Sequence, residues 1–457
     1  MKQKRMVLIW GLLAGLTVCG QDKPVFEALR YEDDYLVFKN NKRDGYTKFK
    51  YHPMDSSGES YLGIGGELRL QYMRYKNEGW GDNPADPGGY LLNRSLLHVD
   101  FHAGSKVRAF AQFQSSLAAS RIDPGPVERN QLELHQAFVE LALFAGKSVQ
   151  VRVRAGRQEM SYGSQRLVSV RELPNNRQSF DAVKFMFSWR GYTMDLFGSE
   201  YVVAEKGMFN DRFLDGPVFR GIYMTRRGLF LNGHADLYYF GLSKPDAVFD
   251  DGRGKEKRQS VGSRIWNTGK GFRYDAELVY QWGKLGEKSI RAWTISINAG
   301  YQLADIKYQP ELGLKAELIS GDGQYGDQRL GTFNPLFPKG AYFGLAALIG
   351  PANLKDLHPS LNMQLFPGMK LNIDLDYLWR YRSNDGVYTP GMGLIYSGKN
   401  ITSKFIGTQY AADLGLTAND YLFLRLEGTW FVAGRFLKEA GAGRDLLFGC
   451  LTAQLKF

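Results

Sequence analysis

Residues Val149–Lys184 read VQVRVRAGRQEMSYGSQRLVSVRELPNNRQSFDAVK and combine an alternating strand with a dense run of positive charge. Successive side chains of a strand point to opposite faces. Val151 and Val153 therefore share one face. Arg152 and Arg154 share the other. The first face suits hydrocarbon, and the second suits water or an anion. The wall of a membrane barrel has this arrangement, but a soluble strand with a solvated basic face has it too, so this stretch alone leaves both open.

The same alternation recurs along the chain and favours the membrane barrel. Its clearest examples are Leu371–Arg382 and Tyr421–Trp430, where apolar and polar residues take turns. Several such stretches reach the ~9–11 residues with which a tilted strand crosses a bilayer, whereas soluble strands average ~5–6. Backbone groups in hydrocarbon must all be paired, so a sheet in lipid has to close on itself. The sequence therefore predicts an all-β fold, a single transmembrane antiparallel barrel of about 18 strands around a water-filled lumen.

The N-terminus has the layout of a secretory signal peptide. Lys2, Lys4 and Arg5 precede the apolar run Met6–Val18, which is too short for a membrane-spanning helix. We expect cleavage near Gly20 and location in the outer membrane of a Gram-negative cell. The expected regions are a signal peptide at 1–20, a lead-in segment at 21–60 that tucks into the barrel mouth, and the barrel at 61–457.

Composition supports one large β unit. The 457 residues include 53 glycines and 26 tyrosines, without a compositional break between domains. Loss of the signal peptide lowers the formal net charge from +11 to +8 and leaves Cys450 as the only cysteine, so no intramolecular disulfide can form. A basic surplus is also typical of nucleic-acid binding, but a secreted chain with lipid-like strand faces argues against a nucleic-acid partner.

Arginines on the polar strand faces are the candidate solute-binding groups. A guanidinium holds a carboxylate through two charge-assisted hydrogen bonds, and several weak sites in succession allow release. Strand parity predicts these pore-lining residues: Arg94, Arg108, Arg152, Arg154, Arg380, Arg382 and Arg425. The alternative is that single arginines only rigidify the wall through ion pairs with Asp100, Asp374, Asp376, Glu317 and Glu427. For the acid-poor run from Arg152 to Arg177 we prefer the solute-facing interpretation.

Metal and catalytic motifs are weak. His98 and His102 share a strand face with Asp100, but the six histidines show no recurring ligand spacing. Asp322 and Asp327 in SGDGQYGD loosely resemble a calcium loop, yet the EF-hand spacing is absent, so we expect them to cap their loop. Neither G-x-S-x-G nor H-E-x-x-H occurs, which disfavours a barrel-embedded hydrolase. We predict no metal, no cofactor and no enzymatic activity.

Several longer motifs together resemble a known family. YEDDYLVF begins at Tyr31, VRAGRQEMSYGSQRL at Val153, RQSFDAVK at Arg177, and ELISGD at Glu317, followed by GTFNPLFPKGAYFG from Gly331. With these motifs the chain resembles the alginate-export family of outer-membrane β-barrels over nearly its whole length beyond the signal peptide. The pairing of the second motif with the last one is the most specific part of the match.

The resemblance implies a monomeric, eighteen-stranded barrel that is partly plugged by loops. It also implies a basic constriction through which an acidic polysaccharide leaves the periplasm. Carried over by motif, the lumen or loop-anchoring positions are Arg154, Arg157, Glu159, Arg166 and Asp181. The expected partners are an alginate-like polyuronate or its oligosaccharides, outer-membrane lipid, and the barrel-assembly machinery through the C-terminal Phe457. A general anion-selective porin and an uptake channel remain alternatives.

Overall fold

The structure is a computed structural model that describes residues 26–39, 45–84, 86–229, 232–269 and 271–457. The predicted signal peptide and its cleavage site lie outside these residues. Eighteen long strands occur in the described chain, and each is antiparallel to its neighbours. We number them β1 Tyr61–Lys76, β2 Tyr90–Ala103, β3 Val107–Ala119, β4 Asn130–Ala145, β5 Val149–Gln158, β6 Phe180–Trp189, β7 Tyr192–Tyr201, β8 Val218–Leu229, β9 Gly233–Phe249, β10 Gly252–Asn267, β11 Phe272–Leu285, β12 Lys288–Gln302, β13 Glu311–Ile319, β14 Leu354–Phe366, β15 Met369–Arg380, β16 Phe405–Thr417, β17 Leu422–Ala433 and β18 Leu446–Lys456.

The remaining regular elements are short. Two-residue and three-residue strands are His52–Pro53, Arg329–Leu330, Val387–Tyr388 and Leu394–Tyr396. The helical segments are Arg30–Glu32, Tyr35–Phe38, Gly45–Lys50, Glu78–Gly81 and Arg435–Ala440. Among the described residues, no helix is long and apolar enough to cross a membrane.

The first and last strands close the barrel. β1 pairs with β2 on one side and with β18 on the other, where Glu67 lies opposite Lys456. Beyond this pair, the Gly66 N–H donates to the Phe457 carbonyl at 2.7 Å, and the Phe457 N–H donates back to Gly66 at 3.0 Å. Every long strand therefore has a partner on both sides, as a sheet in hydrocarbon requires.

The wall has an apolar outer face and a polar inner face. On β11, Leu278, Tyr280 and Trp282 are exposed on the outside of the isolated chain, whereas Glu277 and Gln281, which alternate with them, are buried in the lumen. Outward aromatic side chains also meet across neighbouring strands. Such a band belongs against lipid, with the aromatic rings at the interfaces. The predicted all-β transmembrane barrel is confirmed.

The two ends of the barrel differ. The end that carries both described termini has short connections, which we call the turn end. The other end, the loop end, carries the long connections at 77–89, 120–129, 159–179, 202–217, 320–353, 381–404 and 434–445. In outer-membrane barrels short turns face the periplasm and long loops face outward, so the turn end is periplasmic.

The lumen is filled from both ends. Two long connections fold inward, the first plug loop (residues 159–179) and the second plug loop (residues 320–353), and their Val168 and Phe333 are fully buried. The N-terminal segment enters from the turn end, where the Tyr35 hydroxyl lies 2.6 Å from His98 Nε2 on β2. The predicted partial plugging by loops is thus present, and the lead-in segment contributes to it.

β1 begins earlier than the alternating pattern suggests. The pattern predicts a strand over Gly66–Tyr72, but β1 already starts at Tyr61. The reason is a close approach at Gly65, where a Cβ would lie 2.6 Å from the Tyr35 hydroxyl and from the His98 ring. Glycine makes room for the N-terminal segment here, and its missing side chain hides the strand from a search for alternating residues.

Candidate functional site

Two wall arginines hold the first plug loop in the middle of the lumen. Arg94 on β2 is fully buried and donates to Glu67 Oε1 at 2.9 Å, to Glu172 Oε1 at 2.6 Å and to the Glu172 carbonyl at 2.7 Å. Arg69 on β1 donates to the same Glu172 carbonyl at 2.7 Å, and its other hydrogen bond also goes to a loop carbonyl. The plug loop therefore presents one carboxylate and two carbonyls to this pair of guanidiniums.

Arg177 joins this arrangement to the N-terminal segment. It donates to both oxygens of Glu159 at 2.6 and 2.8 Å, to the Ala28 carbonyl at 2.6 Å, and to Glu172. Glu159 Oε1 also lies 2.8 Å from His135 Nε2 on β4. We call Glu67, Arg69, Arg94, Glu159, Glu172 and Arg177 the central cluster.

Glu172 is the carboxylate of the first plug loop that pairs with Arg94 of the wall. Burial raises the pKa of this carboxyl, but Arg177 and Arg94 outweigh burial and hold it well below its ordinary value. Its side chain is still 33% exposed, unlike those of Arg94 and Arg177. A partly exposed anion on a loop, facing buried cations of the wall, is a partner that another anion can replace.

Arg166 anchors the first plug loop on the opposite wall. Its Nε donates to Glu277 Oε2 on β11 at 2.9 Å, and its Nη1 contacts Glu317 on β13. Nη1 also donates to the Tyr342 hydroxyl at 2.7 Å, which itself donates to Glu317 at 2.9 Å. Tyr342 belongs to the second plug loop, so both loops meet at this pair of wall glutamates.

A cavity of about 860 Å³ opens at the turn end, and we call it the turn-end vestibule. Arg108, Arg152 and Arg154 line it. Arg154 is held by Glu140 at 2.6 and 2.9 Å, and Arg108 by Asp100 at 2.7 Å. Arg152 reaches Glu140 only at 3.3 Å, and half of its side chain is exposed. Arg152 is therefore the most accessible of the three arginines in the turn-end vestibule.

Two further predicted arginines face the lumen close to its two ends. Arg425 pairs with Asp413 at 3.1 Å and with Glu427 at 2.9 Å. Arg380 is fully buried at the loop end, donates to backbone carbonyls of the 381–404 connection, and stacks 4.0 Å from the Phe436 ring. Arg380 thus holds a loop rather than a solute.

Arg157 and Arg382 lie outside the lumen. Strand alternation puts Arg152 and Arg154 inside and residue 157 outside, on the face of Ala155, where Arg157 bonds Asp181 at 2.9 and 3.1 Å. Arg382 follows the end of β15 and lines an outer cleft of about 290 Å³. The pore-lining prediction for these two residues therefore needs correction.

The histidine and aspartate group on β2 is divided between different partners. His98 pairs with Tyr35, whereas His102 Nε2 lies 3.2 Å from Asp100, which Arg108 also holds. Three of the acids expected as ion-pair partners, Asp100, Glu317 and Glu427, do pair with arginines. The ion-pair interpretation therefore describes most single arginines.

A family model described as alginate export matches residues 60–445. The chain belongs to the alginate export family. No curated protein matches it in sequence.

Solved structures from Pseudomonas aeruginosa share the barrel. OccK3 (OpdO) has a TM-score of 0.57 at 12% identity, covering 87% of this chain and 95% of that chain. The outer membrane protein opdK has a TM-score of 0.57 at 12% identity, covering 86% and 98%. OpdK solved with vanillate has a TM-score of 0.56 at 10% identity, covering 87% and 98%. At such low identity these likenesses establish the fold alone. Together with the family match, the closed barrel makes this chain an outer-membrane channel protein.

Sequence reasoning missed Arg69 as a member of the site, and it included Arg177 only as the end of the solute-facing run, without its partners. The signal for Arg69 was present, because it alternates with Leu68 and Leu70 and so belongs to the lumen face. Arg177 lies in a connection, where strand parity says nothing. Only the folded plug loop brings it to Glu159 and Glu172.

Proposed function

We propose that this channel passes a carboxylated polysaccharide, an alginate-like polyuronate or its oligosaccharides, across the outer membrane along its lumen arginines. One observation carries the proposal: wall residues Arg69 and Arg94 already hold loop oxygens, including the Glu172 carboxylate at 2.6 Å. Membership of the alginate export family supports the choice of polymer. The described structure corresponds to the closed state, with the loop as a built-in anion.

The physical basis of the proposed passage is an exchange of the carboxylate that pairs with Arg94. A buried arginine that loses its carboxylate costs about 3–5 kcal/mol, because an uncompensated charge remains in the lumen. A uronate carboxylate offers the same two oxygens as Glu172, so it can take over Arg94 without that cost. A neutral sugar has no carboxylate and cannot replace Glu172 in this way. The closed loop is therefore displaced more easily by a polyanion than by a neutral polymer.

The arginines form a sequence of such sites along the lumen. Arg152 in the turn-end vestibule is half exposed and meets the polymer first. The central cluster follows, and Arg166 with its wall glutamates lies on the opposite wall of the lumen. Multiple weak sites favour passage over tight retention. We also propose that the barrel acts as a monomer and that its assembly uses the terminal Phe457.

Single-channel recording in planar bilayers tests this function. We expect anion-selective current that polyuronate oligomers block, while a neutral glucan of equal length does not. Blockade should weaken as salt rises, because the contacts are electrostatic. Selective current without blockade would favour a general anion porin. Equal blockade by both polymers would refute the arginine-based account.

A further inference from the structure

Three aspartates from two separate elements meet at the loop end. Asp251 lies in the turn between β9 and β10, and Asp322 and Asp327 lie in the second plug loop. Each offers a carboxylate oxygen, and these oxygens all lie within 4.8 Å of one another. Both loop aspartates also cap their loop, because Asp322 Oδ1 accepts from the Gly331 N–H and Asp327 Oδ1 from the Arg329 N–H, each at 2.8 Å. Loop capping was the role expected from the sequence. It uses only Oδ1 of each of these two carboxylates, so Oδ2 of each takes no part in capping.

Asp322 carries the strongest unmet demand. Its exposure is 1%, and Oδ2 has no hydrogen-bond partner among the described residues. A buried carboxylate oxygen without a partner destabilises the folded state more than an unpaired neutral polar group does. The Asp251 and Asp327 carboxylates offer oxygens within 4.8 Å, so a cation bound between the three side chains would satisfy this carboxylate.

The cations nearby do not meet this demand. Lys288 Nζ lies 2.6 Å from Asp251, so three carboxylates and one ammonium leave a formal charge of −2 when all are ionised. Arg291, Arg329 and Arg382 line the same cleft, but none of their side chains forms an ion pair within the described part of the chain. One divalent cation neutralises the group.

We propose that Asp251, Asp322 and Asp327 bind a calcium ion that ties the second plug loop to the β9–β10 turn. All donor atoms are oxygens and come from turns and loops, which suits calcium, whereas zinc prefers nitrogen and sulfur ligands. The Gly326 N–H donates to Asp251 Oδ2 at 2.9 Å and helps to fix that carboxylate in place. The site is independent of the proposed polymer, and it fastens the root of a loop that fills the lumen.

Terbium luminescence on the full barrel tests the site. Tb³⁺ replaces Ca²⁺ in oxygen sites and emits when an excited tryptophan lies nearby, and Trp293 lines the same cleft as Asp322 and Asp327. We expect tryptophan-sensitised emission that Ca²⁺ suppresses at about 10⁻⁴–10⁻³ M, the range of extracellular calcium modules. Trp293→Phe should lower the emission and leave Ca²⁺ binding unchanged.

Asp322→Asn should weaken Ca²⁺ binding by at least about tenfold, measured by equilibrium dialysis with Ca²⁺ alone. Asp327→Asn, at a half-buried residue, gives a second variant if the first does not fold. Asp305→Asn, on an exposed turn-end residue, is the matched control and should bind like the parent. Unchanged binding in both site variants, loss in the control, or no bound ion in the parent would each overturn the assignment.

Discussion

Replacing Glu172 by glutamine tests how the lumen is held closed. The substitution keeps the shape of the side chain and one carbonyl oxygen but removes the negative charge. Glu172 accepts from Arg94 of the wall at 2.6 Å, and this contact ties the first plug loop to the barrel, whereas its contact with Arg177 lies within the loop. We therefore expect Glu172→Gln to open the channel more often than the parent.

The magnitude follows from the contact between Glu172 and Arg94. A hydrogen bond to a charged group contributes about 1.5–3 kcal/mol, and a neutral acceptor keeps roughly half of that. The contact to Arg94 then loses about 0.75–1.5 kcal/mol. The 33% exposure of the Glu172 side chain places the loss at the lower end, because solvent screens part of the interaction. A loss of about 0.8 kcal/mol corresponds to roughly a fourfold change in the ratio of closed to open channels.

Open probability in single-channel recordings measures this ratio. Glu205→Gln is the matched control, because Glu205 pairs with Arg212 at 3.0 Å on a different connection and its side chain is 38% exposed, similar to that of Glu172. The control should gate like the parent. An open probability of Glu172→Gln at or below that of the parent would refute the role of Glu172 in closing the lumen.

Four other perturbations follow from the same contacts. Arg69→Gln combined with Arg94→Gln should lower anion preference, seen as a reversal potential closer to zero in a salt gradient. An unchanged potential would show that these two arginines do not act on the conducted ions. Arg152→Glu should weaken blockade by polyuronate severalfold from the turn end while the barrel still folds, because half of its side chain is exposed. Arg380→Ala should destabilise the barrel by about 3–5 kcal/mol in urea unfolding, because several backbone carbonyls lose a charged donor; a loss below about 1 kcal/mol would contradict this. Burial and nearby Glu133 raise the pKa of Asp211 from 3.8 to about 6. Between these two pH values Asp211 therefore holds a proton in the folded 202–217 connection and loses it when the connection unfolds locally. Its resistance to protease should therefore fall as pH rises from about 4 to 6 and then level off, and Asp211→Asn should abolish this dependence.

Strand alternation was sufficient to predict the wall. Leu278, Tyr280 and Trp282 are exposed and Glu277 and Gln281 are buried, as the parity of the sequence predicts. Parity also assigns Arg94, Arg108 and Arg154 to the inner face correctly, because a strand in a closed barrel has only two faces. The same rule, applied strictly, excludes Arg157.

Pairing inside the lumen could not be predicted. Arg94 and Glu172 are 78 residues apart in sequence, and their contact depends on how the first plug loop folds inward. Asp251 joins Asp322 only because two connections meet at the loop end. Connections lack a periodic pattern, so their contacts follow from tertiary packing rather than from local sequence.

Passage of a polyanion through the barrel is the central claim, and release from lipid vesicles measures it most directly. Vesicles would enclose a polyuronate oligomer and a neutral glucan of equal length, and would carry either the parent protein or Glu172→Gln. We predict that polyuronate leaves faster than glucan, that the variant releases it faster than the parent, and that the preference shrinks at high salt. Equal release of both polymers, or no release of either from vesicles carrying the variant, would contradict the account.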